Sequence, residues 1–216
     1  MSAQTGLISG RVGGLCLAAG QSQRMGEGTN KLILPIDGIP LVCWPVDAMR
    51  DAGLGPLRVV TGFESRRVEQ ELAVRECVFY EHADWESGMG SSLAFGARQM
   101  MSEVVRGEAT WEAMLVCLGD LPGLRSATVE KVLGAASPDR IEEQIVIPTF
   151  KGRRGHPVLF GRKYWSALAR LSGDRGAKAI AESAGDHLVE VEVETKAIFA
   201  DLDTPEDLSD WLERDR

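Results

Sequence analysis

The sequence predicts an α/β protein, a Rossmann-like single domain whose mostly parallel central sheet carries helices on both faces. Three observations carry that expectation. Apolar strand-like runs alternate with helix-like stretches, the pattern of a parallel sheet covered on both sides. The 216 residues suit one domain. Hydrophobic residues make up 44 %, which favours a packed core over disorder.

The elements follow in order. Residues 1–12 are polar and aperiodic and read as a flexible tail, which leaves 13–216 as the domain. Residues 13–18 read as a buried strand. Residues 40–52 read as a helix with Pro40 and Pro45 near its first turn, where a missing N–H costs little. A strand over 57–61, a helix over 65–74 and a short strand over 77–80 come next. Helical periodicity then runs over 91–105 through Leu93, Phe95, Met100, Met101 and Val104. Residues 113–118 are the clearest buried strand, and Ser126 caps a helix after it. Residues 144–148 read as a strand, and 151–155 as a turn between two strand-like pieces. Helices are expected over 162–171 and 176–183, strands over 188–193 and near 198–200, and a last helix over 205–213. No internal repeat, low-complexity segment or linker interrupts the series.

Composition narrows the function. A formal net charge of −8 argues against a nucleic-acid backbone as partner, because that needs a basic face. It leaves room for a nucleotide, since one local cationic cluster and a metal ion suffice for a triphosphate. No apolar stretch is long enough to cross a bilayer, so no membrane role is expected. No charged start followed by an apolar core marks a secretion signal. The four cysteines (Cys16, Cys43, Cys77, Cys117) lack CxxC spacing and read as reduced core thiols, which makes the cytoplasm the expected location.

In parallel sheets ligands bind beyond the carboxyl ends of the strands, where strand order reverses. Chemistry is therefore expected just after each strand. The loop Leu17-Ala18-Ala19-Gly20-Gln21-Ser22-Gln23-Arg24-Met25-Gly26, with Lys31 beyond it, lets backbone N–H groups approach an anion and supplies two cations. It lacks both the Walker and the dinucleotide fingerprints. Gly119-Asp120-Leu121-Pro122 sets a carboxylate at a strand end, suited to Mg²⁺ or to an ordinary turn. Asp201 and Asp203 alternate before Pro205. One of them is a second candidate ligand, although Asp203 or Thr204 could instead cap the last helix. The run from Trp85 to Leu93 leads into a helix, and its serines and amides suit a base or ribose. Arg153-Arg154-Gly155-His156-Pro157-Val158 carries a lone histidine. Gly173-Asp174-Arg175-Gly176-Ala177-Lys178 has the composition of a capped helix start.

Taken together these segments, with Val60-Thr61-Gly62 and Asp203-Thr204-Pro205-Glu206-Asp207, resemble the MobA-like nucleotidyltransferases across residues 13–212. Within that family the resemblance is strongest to the branch that cytidylylates the molybdenum cofactor. It implies transfer of a nucleotide to a phosphorylated acceptor with release of pyrophosphate. CTP is the favoured triphosphate, Mg²⁺ the cofactor and a phosphorylated pterin the acceptor, with a molybdoenzyme or its maturation factor as a further partner. It assigns Lys31, Arg24 and Asp120 to catalysis, and Asp120 with Asp203 (or Asp201) to the metal. Leu17, Ala18, Ala19, Gly20, Arg24, Lys31, Thr61, Gly62, Ser92 and Gly119 are assigned to the nucleotide. Arg154, His156, Pro157, Asp174 and Lys178 are assigned to the acceptor. Some relatives are instead reductases of a plant-alkaloid pigment, and a non-catalytic cofactor carrier is a further alternative.

Overall fold

Strand β1 (Val12–Ala18) is buried along almost its whole length, which its near-continuous apolar sequence requires of a strand covered on both faces. The computed structural model describes residue 6 and residues 8–21 and 30–199. After β1 comes a small hairpin of β2 (Pro35–Ile36) and β3 (Ile39–Pro40). The main sheet continues with β4 (Arg58–Thr61), β5 (Val78–Glu81), β6 (Ala113–Leu118) and β7 (Ile145–Phe150). It is completed by β8 (Arg153–Arg154), β9 (Val158–Gly161) and β10 (Leu188–Glu192).

The strand order is β10-β7-β9-β6-β1-β4-β5, with β8 paired to β7. Pairs β1–β4, β4–β5, β1–β6 and β7–β10 are parallel, and β9 runs antiparallel between β6 and β7. From β1 the chain moves outward through β4 to β5, then returns to β6 on the other side of β1. Strand order therefore reverses between β1 and β6. Register pairs Leu17 with Leu118, so Ala18-Ala19 and Gly119-Asp120 leave the sheet side by side.

Side chains alternate between two cores, as the period of a strand dictates. Leu115 and Cys117 of β6 face the helices Cys43–Asp51 and Ser126–Gly134. Met114 and Val116 face the long helix Met89–Val105. The predicted helices on both faces are thus present. Among the described residues no helix is long and apolar enough to cross a membrane.

Several expected boundaries move. Ile8 is fully buried and β1 begins at Val12, so the expected tail of residues 1–12 already contributes to the core. The helix expected from residue 40 starts at Cys43, because Ile39–Pro40 is taken up by the hairpin. The long helix starts at Met89 instead of residue 91. Residues 162–171 hold a 3₁₀ turn, Arg162–Tyr164, and one helical turn, Trp165–Leu168. The strand expected near 198–200 is a 3₁₀ turn, Lys196–Ile198, which the Thr195 hydroxyl caps by accepting from the Ala197 amide. The last expected helix lies outside the described residues.

At the end of β4 away from the strand-order reversal, Arg58 and Glu103 form a buried ion pair, their side chains only 10 % and 9 % exposed. The Tyr80 hydroxyl also donates to Glu103, and the Arg58 guanidinium lies 4.4 Å from the Trp111 ring centroid. Burial, and then the Glu103 carboxylate, push the Tyr80 phenol up. Breaking such a pair leaves one charge buried without its partner. Glu103→Ala is expected to cost about 3–5 kcal/mol, read as a lower midpoint in urea denaturation. A midpoint unchanged from wild type would show that Arg58 reaches solvent instead.

Candidate active site

Three loops meet where the strand order reverses. The Gly119 amide donates to the Leu17 carbonyl at 2.9 Å, which joins the ends of β6 and β1. The Phe63 amide, just beyond β4, donates to the Ala19 carbonyl at 3.1 Å. Asn30 ties in the third segment: its side chain accepts from the Leu32 amide at 3.1 Å and donates to the Phe63 carbonyl at 3.3 Å. Asn30 is only 2 % exposed, so these bonds fix the backbone that launches Lys31. Lys31 Nζ then reaches Asp120 Oδ2 at 2.7 Å, with the two side chains 11 % and 19 % exposed.

That pair lies in a cleft of about 840 Å³, lined also by Ala19, Gly20, Ser92 and Asp174. A second cavity of about 720 Å³ adjoins it and is lined by Arg154, His156 and Lys178 among others. Leu17, Met89 and Leu118 line both, so the two spaces are contiguous.

The cleft's far wall is the start of the long helix. Gly88 has φ 102°, and a Cβ there would meet Asp174 Oδ1 at 2.3 Å, so only glycine lets the chain turn beneath the 173–176 loop. The Ser91 amide donates to the Gly173 carbonyl at 3.2 Å and holds that loop against the helix start. This docking places two of the expected site residues. Ser92 faces the cleft as expected. Asp174, expected with the acceptor, faces the first cleft instead.

Other expectations are also revised. The Thr61 side chain is fully buried and its hydroxyl donates to Glu69 Oε1 at 3.1 Å, so it faces neither cavity. Gly62 packs under Trp85, whose Cβ a methyl there would meet at 2.6 Å. Ala18 and Gly119 lie in the strand-end framework and line neither cavity, and the same holds for Pro157. His156 does line the second cavity. Its amide donates to the Ile198 carbonyl at 2.8 Å, and its Nδ1 is buried without a hydrogen-bond partner among the described residues. Burial holds the imidazole below the usual histidine range, against the opposing pull of the Val116 backbone and the Asp120 charge. Arg24, Asp201 and Asp203 lie outside the described residues.

Three side chains were given no role of their own in the sequence reading, although Trp85 and Met89 lie in the run singled out there. Trp85 lines the first cleft and its ring lies 5.6 Å from that of Phe63. Met89 projects between the two cavities and is 46 % exposed. Asn30 sets the path into Lys31. An aromatic beside a helix-entry glycine, and an amide directly before a cleft lysine, were the available signals.

For a metal, the fit rests on Asp120. Among the described residues no group of three His, Cys, Asp or Glu side chains is placed to hold an ion. Mg²⁺ commonly takes one or two carboxylates and completes its shell with phosphate oxygens and water. Asp120 lines the cleft beside Lys31, and Glu86 and Asp174 line it too, so the carboxylates present fit that requirement.

Comparison with known proteins gives the following. The family described as MobA-like NTP transferase domain matches residues 14–190. Nicotine blue oxidoreductase of Paenarthrobacter nicotinovorans is 32 % identical over 171 residues, 77 % of this chain and 79 % of that protein. The bifunctional protein GlmU of Geotalea daltonii is 27 % identical over 162 residues, 75 % of this chain, and the matched part spans only 33 % of that longer relative. The crystal structure of Rv0371c from Mycobacterium tuberculosis H37Rv aligns at TM-score 0.78 and 28 % identity, covering 95 % of this chain and 98 % of the other. Its complex with manganese aligns at TM-score 0.72 and 26 % identity, covering 94 % and 99 %.

Proposed function

The chain belongs to the MobA-like NTP transferase domain family, and from that premise we propose that it is an Mg²⁺-dependent nucleotidyltransferase. It moves CMP from CTP onto a phosphorylated acceptor, the molybdenum-bearing pterin, and releases pyrophosphate. The observation that carries this reading is the Lys31–Asp120 pair, set in a cleft at the strand-order reversal and contiguous with a second cavity.

The chemistry is a displacement. An oxygen of the acceptor phosphate forms a bond to the α-phosphorus of the triphosphate, the bond from that phosphorus to the bridging oxygen breaks, and pyrophosphate leaves. A phosphate monoester is largely dianionic near neutral pH, its second pKa being about 6, so its attack requires no general base. The protein must hold two anions in line and meet charge that grows on the phosphates. Asp120, with Asp203 or Asp201, would hold Mg²⁺, which neutralises phosphate charge and orients the triphosphate when bound. Lys31 and Arg24 would meet the phosphates, and the Ala19-Gly20 backbone with Ser92 would border base and ribose.

The pairing of Lys31 with Asp120 fits this assignment. Both charges are mostly buried, and burying an unpaired charge is costly. Each has an opposite partner in the ion pair seen here. Each would also have one with nucleotide and metal bound, Lys31 against phosphate and Asp120 against the cation. The exchange therefore strands neither charge.

A screen of the four NTPs with Mg²⁺ and molybdopterin, read as pyrophosphate, tests the reaction. CTP should be preferred over GTP, and a wild type that prefers GTP contradicts the cytidylyl assignment. Ala19 lines the cleft yet is only 3 % exposed, and its carbonyl is held by the Phe63 amide. Removing its methyl group gives the loop room to withdraw before a larger base. Ala19→Gly is expected to lower the CTP-to-GTP ratio of kcat/KM by about tenfold, the scale of one methyl-sized difference. An unchanged ratio would clear Ala19 of a role in base choice.

A second reading follows from the 32 % identity to a protein named as an oxidoreductase. The visible spectrum of the purified protein separates the two, since a bound flavin would colour it yellow.

A further inference from the structure

We infer that His82, which lines neither cavity, is a positioning residue for both: through the Ser91 hydroxyl and the Phe95 ring it pins the start of the long helix, the wall that the two cavities share. The inference rests on the nucleotidyltransferase reading only in taking CTP as the ligand of the first cleft.

His82 stands directly after β5. Its amide donates to the Thr61 carbonyl at 2.8 Å, which extends the β4–β5 ladder by one bond and fixes its backbone to the sheet. The ring reaches the long helix, and the residue is only 6 % exposed. Nε2 lies 3.1 Å from Ser91 Oγ, and the ring stacks on that of Phe95, with 4.6 Å between centroids and 12° between planes. Ser91 and Phe95 are four residues apart and share one face of the helix, so a single side chain grips its first two turns. Burial, with the Arg98 charge acting in the same sense, holds the imidazole below the usual histidine range against the pull of Asp84. A neutral ring suits a place between an aromatic face and one hydroxyl, where a charge would be costly.

This grip holds the shared wall. Ser92 lines the first cleft, Leu93 the second cavity and Met89 both. The 173–176 loop rests directly on the same helix start, since a Cβ on Gly90 would meet the Arg175 carbonyl oxygen at 2.3 Å. From that loop Asp174 reaches the first cleft, while Gly176 and Ala177 line the second cavity. Ser91 is the junction. Its hydroxyl bonds back to His82 at the sheet edge, and its amide bonds forward to the Gly173 carbonyl.

The bond sits where the helix has least support of its own. Amides of a helix's first turn have no partner within the helix, and the capping residue here, Gly88, has no side chain to supply one. The tether to His82 and the amide bond to Gly173 stand in for that cap. Without the tether the first turn would fray, and it would carry Met89, Ser92 and the docked loop with it.

Titration calorimetry of CTP with Mg²⁺ into a set of variants tests this, with a thermal melt to show each folded. Ser91→Ala removes the hydroxyl, and His82→Phe keeps the stack on Phe95 but removes the bond. Each should weaken CTP binding by about fivefold, the scale of one buried hydrogen bond. His82→Gln returns an amide to the place of Nε2 and should bind within about twofold of wild type. The double variant of Ser91→Ala and His82→Phe should also stand about fivefold below wild type, because both changes remove the same bond. In the ligand-free protein the Ser91 amide should exchange with deuterium faster in His82→Phe than in wild type. Ser91→Ala introduces a better helix former, so it keeps both readouts open if His82→Phe does not fold. CTP affinity within about twofold of wild type in every folded single variant would overturn the inference. Losses that multiply in the double variant, or a Gln variant as weak as the Phe variant, would overturn it as well. Should CTP fail to bind wild type, the nucleotidyltransferase reading falls and the exchange rate decides alone: an unchanged rate at residue 91 in the folded variants would sink the positioning role.

Discussion

Asp120→Asn is expected to remove nearly all turnover while the protein stays folded. Asparagine keeps the size and shape of the side chain at the end of β6, and its carbonyl oxygen can still accept from Lys31 Nζ, which lies 2.7 Å from Asp120 Oδ2 in wild type. What it loses is the negative charge that would hold the cation against the triphosphate. Loss of one preorganised electrostatic contact of this kind costs about 10²–10³-fold in kcat, and a metal ligand should reach at least that scale. Pyrophosphate release under saturating CTP measures the loss, and a thermal melt checks the fold. If the melt is retained and activity stays within a few-fold of wild type, Asp120 is a turn residue before Pro122 and the metal assignment fails.

The second large effect belongs to Lys31. Lys31→Ala removes a cation whose backbone Asn30 fixes through two hydrogen bonds, and which in the proposed reaction would meet charge that grows on the phosphates in the transition state. The expected loss is about 3 kcal/mol of transition-state stabilisation, or about two orders of magnitude in kcat/KM. Lys151→Ala is the matched control. Lys151 is exposed on the turn between β7 and β8, with its ammonium 5.3 Å from the Phe150 ring centroid, and lines neither cavity. Its replacement should leave kcat/KM within about twofold. Comparable losses in the two variants would contradict a phosphate role for Lys31.

Which parts of this site could be read from sequence follows from the physics of each part. β1 and β6 were legible because both are covered on two faces, so each is a nearly unbroken apolar run followed at once by small or acidic residues. That arrangement alone brought Ala19-Gly20 and Asp120 to one place. The reversed direction of β9 was not legible, because an apolar run carries no mark of whether it pairs parallel or antiparallel. Asp174, expected with the acceptor, lines the cleft that holds Lys31 and Asp120 for a similar reason. Its position is set by the docking of the 173–176 loop on Gly88 and Gly90, contacts between segments over eighty residues apart. Thr61 shows a subtler limit. A threonine at a strand end reads the same whether its hydroxyl faces a ligand or, as here, a carboxylate eight residues further on. The strand expected near residue 198 failed because the Thr195 cap turned the chain, while the Ile198 carbonyl paired with the His156 amide.

The account turns on Lys31 and Asp120 exchanging each other for phosphate and metal. Titration calorimetry of CTP into the wild-type protein, once with Mg²⁺ and once with EDTA, tests that exchange most directly. In an acidic cleft a bare triphosphate faces the Asp120 charge without a cation between them, so binding should be strong with Mg²⁺ and weak in EDTA. Asp120→Asn should erase most of that difference. Equal CTP affinity with and without the metal in wild type would contradict the account.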